Sequence, residues 1–307
     1  MNGKSMNYEA LILDTDIGDD IDDAYALCLL MAEKANVIGV STVYRNAVQR
    51  ARIASKLISL WGEHIPVYAG ESYPEVQPLF KFEKADLDGK PMIPHYIPAV
   101  MENAKVEEKS AVDFLLDAVR ADPYNITLLA IGPLTNLAEA FVRDPETFGR
   151  IKQILIMGGD YTSLTPEWNI LCDPEAADKV FRSGVPIRAV GFDITKRCVF
   201  DDETLAFLRS LKAEKNKLLV RMTEIWIEHN RERGAVPTMH DPLTAETLFD
   251  ENLVSFGRGK FRVVLNGEHR GATVPDPCGT EIEYATDVNV AAFMARLRDG
   301  LKEEGQC

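Results

Sequence analysis

Short apolar runs alternate with amphipathic segments over most of this 307-residue chain. The runs are rich in branched aliphatic residues, which is typical of parallel strands that are buried on both faces. Between them, apolar residues recur at the spacing of one helix face, as in Val112, Leu115, Leu116 and Val119. The predicted strands are Ala10–Leu13, Val37–Val43, Ile126–Ile131, Ile151–Met157 and Ile187–Val190.

Repeated strand–helix units predict one α/β domain over residues 1–307. Its central sheet is expected to be mostly parallel and covered by helices on both faces, in a Rossmann-like arrangement. Two segments break this rhythm: Glu71–Pro98 is rich in Pro, Lys and Asp, and the irregular Arg231–Pro237 follows a predicted helix around Lys217–Asn230. Ligands of open α/β sheets bind beyond the carboxyl ends of the strands, so both segments are expected to wall or cover that site.

Charge and composition exclude several classes of protein. A formal net charge of −14 repels phosphate backbones, so we expect no nucleic-acid partner. The sequence lacks the run of about 18 apolar residues that crosses a bilayer. Met1–Ala10 lacks the basic-then-apolar pattern of a signal peptide, so a cytoplasmic protein without membrane contact is expected. The five scattered cysteines show no CxxC spacing, which argues against a zinc site or a disulfide framework.

Much of the acidic excess is local, because six aspartates fall within ten residues directly after the first predicted strand. Like charges this close disfavour ionisation unless a cation is present. All-oxygen ligands favour Ca²⁺ or Mg²⁺, and the lack of His or Cys here argues against zinc. Gly18 allows a sharp turn within the segment. The alternative interpretation is a solvated acidic turn that caps a helix. The six are Asp14, Asp16, Asp19, Asp20, Asp22 and Asp23.

An ordered set of motifs resembles the inosine–uridine-preferring nucleoside hydrolases over almost the whole chain. The set begins with Asp14-Thr15-Asp16 and Asp22-Asp23-Ala24 and ends with His240-Asp241-Pro242. Between these lie, in order, Asn46, Ile65-Pro-Val-Tyr-Ala-Gly70, Ala130-Ile-Gly-Pro-Leu-Thr-Asn136, Met157-Gly-Gly159, Glu167-Trp-Asn169 and Asp173-Pro-Glu-Ala-Ala177. The resemblance implies the nucleoside hydrolase fold and hydrolysis of a ribonucleoside to ribose and free base.

The resemblance also implies roles for individual residues. Ca²⁺ would be held by Asp16, Asp23, Asp241 and the Ile131 carbonyl, with Asp20 as a further possible ligand. Asp16 would also be the base that deprotonates the attacking water, and His240 the acid or electrostatic partner of the departing base. The substrate would be a small-molecule nucleoside, and the assembly a homodimer or homotetramer. The expected substrate-binding residues are Asp22, Asn46, Glu167, Asn169, Trp226 and His229, with Arg233 nearby.

The sequence departs from the family pattern at several places. The opening loop has two extra residues after Gly18, which we assign to Asp19 and Asp20. Arg45 stands where Gly is usual, and we expect its side chain to lie in solvent, the alternative being a positive charge near the ribose. Asp88 stands where a base-contacting His is usual. These departures leave the preferred base and tolerance of ribose substituents open.

Two other functions remain alternatives. In a phosphohydrolase of the haloacid-dehalogenase type, Asp14 would be the nucleophile and Asp16 the acid/base, although Ile17-Gly18-Asp19 departs from the usual continuation of that motif. In a non-catalytic, metal-dependent nucleoside- or sugar-binding protein, the altered Arg45 and Asp88 would mark the loss of activity.

Overall fold

The strands form one nine-stranded sheet in the order β3-β2-β1-β4-β5-β6-β9-β7-β8. This is a computed structural model that describes residues 10–80, 85, 89 and 91–302. In this spatial order, the neighbouring strands from β3 as far as β9 pair in parallel. Strand β7 pairs antiparallel with both β9 and β8. The strands are β1 Ala10–Thr15, β2 Val37–Thr42, β3 Val67–Ala69, β4 Ile126–Ala130, β5 Gln153–Met157, β6 Ile187–Val190, β7 Val254–Val263, β8 Thr273–Pro275 and β9 Thr280–Val288.

Thirteen α-helices and one 3₁₀ turn, Arg231–Arg233, connect the strands in the described residues. The helices are α1 Asp22–Ala32, α2 Ala47–Leu60, α3 Pro98–Met101, α4 Ala111–Ala121, α5 Thr135–Arg143, α6 Pro145–Phe148, α7 Trp168–Cys172, α8 Pro174–Phe181, α9 Phe192–Thr195, α10 Asp202–Ser210, α11 Glu214–His229, α12 His240–Glu246 and α13 Val290–Leu301.

The parallel strands are buried on both faces, as their composition predicts. Along β1, Leu11 and Leu13 belong to one hydrophobic core and Ala10 and Ile12 to the other, because successive side chains point to opposite faces of a sheet. Helices α1, α2, α12 and α13 cover the first core, and α4, α5 and α8 cover the second. The predicted fold, a mostly parallel sheet between two helical layers, is confirmed.

The strand order places the candidate site at the reversal between β1 and β4. The chain moves from β1 outward through β2 and β3, and then returns to pair β4 with the other side of β1. The loops that leave the carboxyl ends of β1 and β4 therefore diverge and leave a crevice between them. The aspartate segment follows β1 and Ile131 follows β4, so both open onto this crevice.

Several features differ from the sequence-based expectation or extend it. The antiparallel extension of β7, β8 and β9 and the short β3 were not predicted, while α11 matches the predicted helix. Cys28, Cys172 and Cys198 are buried free thiols and Cys278 is exposed. No helix in the described part of the chain combines the length and apolar character needed to span a membrane. Asp88 lies outside the described residues.

Candidate active site

A cavity of about 570 Å³ opens at the carboxyl ends of the strands, and most of the predicted site residues line it. Its lining includes the aspartates that follow β1 and, from α11 and the turn after it, Trp226, His229 and Arg233. Pro94, from the end of the predicted long loop, completes the rim. Both segments predicted as walls therefore border the cavity. The predicted residues that line it are Asp16, Asp20, Asp22, Asp23, Ile131, Glu167, Asn169, Trp226, His229, His240 and Asp241.

Three buried carboxylates form the most compact acidic group of the cavity. Asp22, Asp23 and Asp241 each offer an oxygen, and these oxygens lie within 4.8 Å of one another. Burial and mutual repulsion raise the pKa of all three well above the usual range. A cation would relieve that repulsion, and the all-oxygen donor set suits a hard divalent ion. The residues present therefore fit a Ca²⁺ or Mg²⁺ site.

Asp22 is also tied to the helix that carries His240 and Asp241. Its Oδ2 accepts the backbone N–H groups of His240 and Asp241, each at 3.2 Å. These are unpaired amides at the start of α12, which favour a carboxylate. This contact joins two segments more than 200 positions apart in sequence and holds Asp241 beside Asp23.

Asp16 lies close enough to this group to raise the pKa of Asp22, Asp23 and Asp241 by its charge. Arg50 holds the Asp16 backbone in place, because its buried guanidinium donates hydrogen bonds to the carbonyls of Asp16 and Ile17. The backbone at Gly132 packs closely against Asp16. Only a glycine fits at this position, because a Cβ there would lie 2.8 Å from the Asp16 nitrogen and 3.0 Å from its Oδ1. The position of Asp16 is thus fixed by residues from α2 and from the loop after β4.

Arg45 does not lie in solvent, so our preferred expectation for it is wrong. Its Nη1 donates to Asp19 Oδ2 at 2.8 Å, and only 12% of its side chain is exposed. Arg50 Nη2 donates to the same oxygen at 2.8 Å. Asp19 therefore pairs with two guanidinium groups beside the cavity, and both pairings keep the pKa of Asp19 below its usual value despite its burial.

His240 is held by side chains on two sides of its ring. Its Nδ1 lies 2.7 Å from the hydroxyl oxygen of Thr195. The Phe192 ring stacks against the imidazole, with a centroid separation of 5.6 Å and an interplanar angle of 24°. Burial lowers the pKa of His240 to about 4. The imidazole faces the cavity with its remaining edge.

Glu167 and Asn169 build the part of the wall next to β4 and β5. Glu167 accepts backbone N–H groups of Gly159, Asn169 and Ile170 at 3.1, 2.8 and 3.2 Å, while burial raises its pKa to about 7. Asn169 Nδ2 donates to the carbonyls of Ile131 and Met157 at 3.0 and 3.2 Å. Both side chains are therefore rigidly held, and the Ile131 carbonyl keeps a second lone pair for a ligand.

Three predicted residues occupy different settings. Asn46 is buried, its Oδ1 accepts the Gln49 N–H at 3.2 Å at the start of α2, and it does not line the cavity. Asp20 is exposed, accepts the Ile21 N–H at 2.6 Å and hydrogen-bonds Trp226, outside the compact carboxylate group. Asp14 is fully buried and accepts hydrogen bonds from Ser41 and Asn136. As it does not line the cavity, it is a poor candidate for a phosphohydrolase nucleophile.

Sequence reasoning missed several residues of the site. Phe192 and Thr195 follow β6 at the same sheet edge as the predicted residues, so the strand-end rule could have found them. Trp168 lines the cavity and is 45% exposed, and it stands between two residues that were predicted. Arg50 carried no signal, because an arginine in an amphipathic helix is usually solvated.

Comparison with known proteins gives a consistent result. The model of the family described as inosine-uridine preferring nucleoside hydrolase matches residues 11–295. Uridine nucleosidase 1 of Arabidopsis thaliana is 33% identical over 285 residues, which cover 88% of this chain and 82% of that protein.

Solved structures of two proteins are similar in fold over nearly the whole chain. A plant nucleoside hydrolase, the PpNRh1 enzyme, has a TM-score of 0.83 at 28% identity. A purine-preferring ribonucleoside hydrolase from Gardnerella vaginalis has a TM-score of 0.82 at 27% identity. In both comparisons 95% of this chain and 98% of the other are covered.

Proposed function

The chain belongs to the inosine-uridine preferring nucleoside hydrolase family, and from this premise we propose that it hydrolyses the N-glycosidic bond of ribonucleosides in a Ca²⁺-dependent reaction. The products are ribose and the free base. The observation that carries the proposal is the buried group of Asp22, Asp23 and Asp241, which lies beside Asp16 in a cavity large enough for a nucleoside.

Asp16, Asp23, Asp241 and the Ile131 carbonyl would hold the ion. Bound there, Ca²⁺ would supply Lewis-acid polarisation of a water. Ca²⁺ lowers the pKa of water less than zinc does, so a carboxylate base is needed nearby. Asp16 fills that role, since Arg50 and Gly132 fix its backbone at the cavity wall.

Asp22, Glu167 and Asn169 would orient the ribose by hydrogen bonds. Asp22 has an oxygen beyond the one used by α12, and the other two side chains are held by backbone groups. Such rigid contacts hold C1′ near the water and strengthen as the sugar flattens toward an oxocarbenium ion. Asn46 caps α2 and does not line the cavity, so we propose no direct ribose contact for it.

The base would lie on the aromatic side of the cavity, between Trp226, His229 and the stacked pair of Phe192 and His240. The relatives differ in the base that their names specify, since one is a uridine nucleosidase and another a purine-preferring hydrolase. We therefore propose no base preference. Assembly as a homodimer or homotetramer is likewise proposed, and light scattering after size exclusion tests it.

A panel of purine and pyrimidine ribonucleosides tests the activity. Chromatography should detect free base from at least one member with Ca²⁺, and none after removal of the metal with EDTA. Ligand-induced thermal stabilisation without base release would favour the non-catalytic binding protein instead. Phosphate release from sugar phosphates, abolished by Asp14→Asn, would favour the phosphohydrolase.

A further inference from the structure

Thr195 is the only described residue whose side chain hydrogen-bonds the imidazole of His240. Its hydroxyl oxygen lies 2.7 Å from Nδ1, and Thr195 itself is fully buried. Thr195 ends α9, the short helix that follows β6, so its position is set by the sheet. Nδ1 is thereby occupied, and Nε2 is the ring nitrogen available to a ligand in the cavity.

The proton between Thr195 and His240 has a preferred location. A hydroxyl can donate one hydrogen bond, and His240 Nδ1 is the one acceptor that the described structure offers to this hydroxyl. If Nδ1 carried the proton, it would donate to the hydroxyl oxygen and leave the buried O–H without an acceptor, which is costly. If the hydroxyl donates to Nδ1, both groups are satisfied. The imidazole proton then resides on Nε2.

Phe192 fixes the plane of the same ring. It stacks on the imidazole at 5.6 Å, and the Lys196 ammonium lies 5.6 Å from the phenyl centroid. The stack opposes rotation of His240, and the Thr195 contact defines which edge faces inward. Two residues from one short helix therefore set both the orientation and the tautomer of the imidazole.

We propose that Thr195 is a positioning residue that makes His240 a hydrogen-bond donor, through Nε2–H, to the departing base; this inference rests on the proposed nucleoside hydrolysis. As the C1′–N bond breaks, its electron pair passes to the base, and the donor stabilises the charge that develops there. Water forms the new C1′–O bond and loses a proton to Asp16, and the base gains a proton from solvent after it departs. His240 keeps its own proton throughout.

Thr195→Val tests this proposal with two substrates that differ in their leaving group. Valine keeps the shape and removes the hydroxyl. With nucleosides we expect kcat to fall roughly 10- to 100-fold, because a preorganised donor is lost. With p-nitrophenyl β-ribofuranoside, whose leaving anion needs little stabilisation, we expect a change below about threefold. Thr195→Ser should restore the nucleoside rate. Thr223→Val is the matched control, since it removes a buried threonine hydroxyl that contacts Tyr25 and not His240.

An equal fall with both substrates would overturn the proposal, because it would indicate a structural role, and so would no fall with nucleosides. Failure of the wild-type protein to hydrolyse either substrate would instead refute the proposed function. An independent readout is the long-range ¹H–¹⁵N NMR spectrum of the histidine-labelled wild-type protein, with His240→Gln for assignment. The proposal requires the Nε2–H tautomer of His240, and an Nδ1–H tautomer would contradict it whatever the activity.

Discussion

Arg45 Nη1 donates to Asp19 Oδ2 at 2.8 Å, which joins two of the positions where this chain departs from the family pattern. Asp19 is one of the two extra residues of the opening loop, and Arg45 stands where Gly is usual. Arg45 has a φ of +59°, in the left-handed region that glycine tolerates and other residues rarely adopt. Arg45 thus forms its ion pair from a left-handed backbone conformation that glycine would adopt without strain.

This relationship predicts different effects for two substitutions of Arg45. Arg45→Ala should lower the free energy of unfolding by about 1 kcal/mol, because it removes the partly buried ion pair and keeps the strained φ. Arg45→Gly loses the same pair but relieves the strain, so it should be about 1 kcal/mol more stable than Arg45→Ala. Urea denaturation of the two variants measures the difference. Equal stabilities would show that the left-handed conformation carries no cost.

Asp19→Asn should destabilise the protein more than Arg45→Ala does. Arg50 is fully buried and pairs with Asp19 at 2.8 Å, while its distance to Asp16 Oδ2 is 4.0 Å. Removal of Asp19 leaves that guanidinium without its close carboxylate, which typically costs about 3 kcal/mol or more. The same urea experiment tests the order of the two variants. A smaller cost for Asp19→Asn would mean that Asp16 and the backbone carbonyls suffice to hold Arg50.

Gly132→Ala should impair catalysis more than stability. The new Cβ would lie 2.8 Å from the Asp16 nitrogen, so the loop that carries Asp16 must shift. A displacement of this kind lowers kcat roughly 100-fold. Gly149→Ala is the control, because Gly149 does not line the cavity. The nearest atom to a Cβ at this position would be the Pro145 carbonyl oxygen, at 3.3 Å. A Gly132→Ala enzyme with wild-type kcat would contradict the proposed role of Asp16.

His95 should make the protein less stable in mild acid. It is buried, with Nδ1 unpaired, and its surroundings include Asp19, His229, Arg50 and a backbone hydrogen bond with Asp20. Burial lowers its pKa from 6.5 to about 4. Between these values the unfolded chain binds more protons than the native protein, so stability falls as the pH falls.

The variant His95→Gln keeps a side-chain donor and removes this titration. Between pH 7 and pH 5 the wild-type protein should lose about 2 kcal/mol more than the variant. Denaturant titrations of both proteins at the two pH values measure these losses of stability. The acidic cluster is present in both proteins, so its contribution to the pH dependence cancels in the comparison. Parallel losses would mean that His95 keeps an ordinary pKa in the folded protein.

The sequence predicts the central sheet well because its signals are local. Strands β1, β2, β4, β5 and β6 are short branched apolar runs, and the strand-end rule brings Asp23 and Ile131 to one crevice. Asp241 lies in α12, which follows a helix and not a strand, so only the family resemblance indicated it. The strands β7 and β9 were missed because their partly exposed residues break both the alternating and the continuous apolar pattern. The three-residue β3 is too short to carry a pattern at all.

Part of the site depends on contacts that no local pattern encodes. The pairing of Asp19 with Arg45 and Arg50 joins an insertion to residues about 30 positions away, so Arg45 was wrongly expected in solvent. The contact of Thr195 with His240 spans 45 positions and involves a common residue type in a short helix. Such contacts follow from the packed fold, and a single sequence gives no means to pair them in advance.

Calcium titration of the metal-stripped protein tests the central claim most directly. Aliquots of Ca²⁺ are added after EDTA treatment, and both the melting temperature and the rate of base release from the best nucleoside of the panel are followed. The ion should stabilise the folded state by about 3 kcal/mol at 100 times its dissociation constant. Base release should start from zero and saturate, and its half-saturation should equal the dissociation constant obtained from the logarithmic rise of stability with Ca²⁺ concentration. Full activity in the stripped protein, or stabilisation by Ca²⁺ without base release from any nucleoside, would contradict the account.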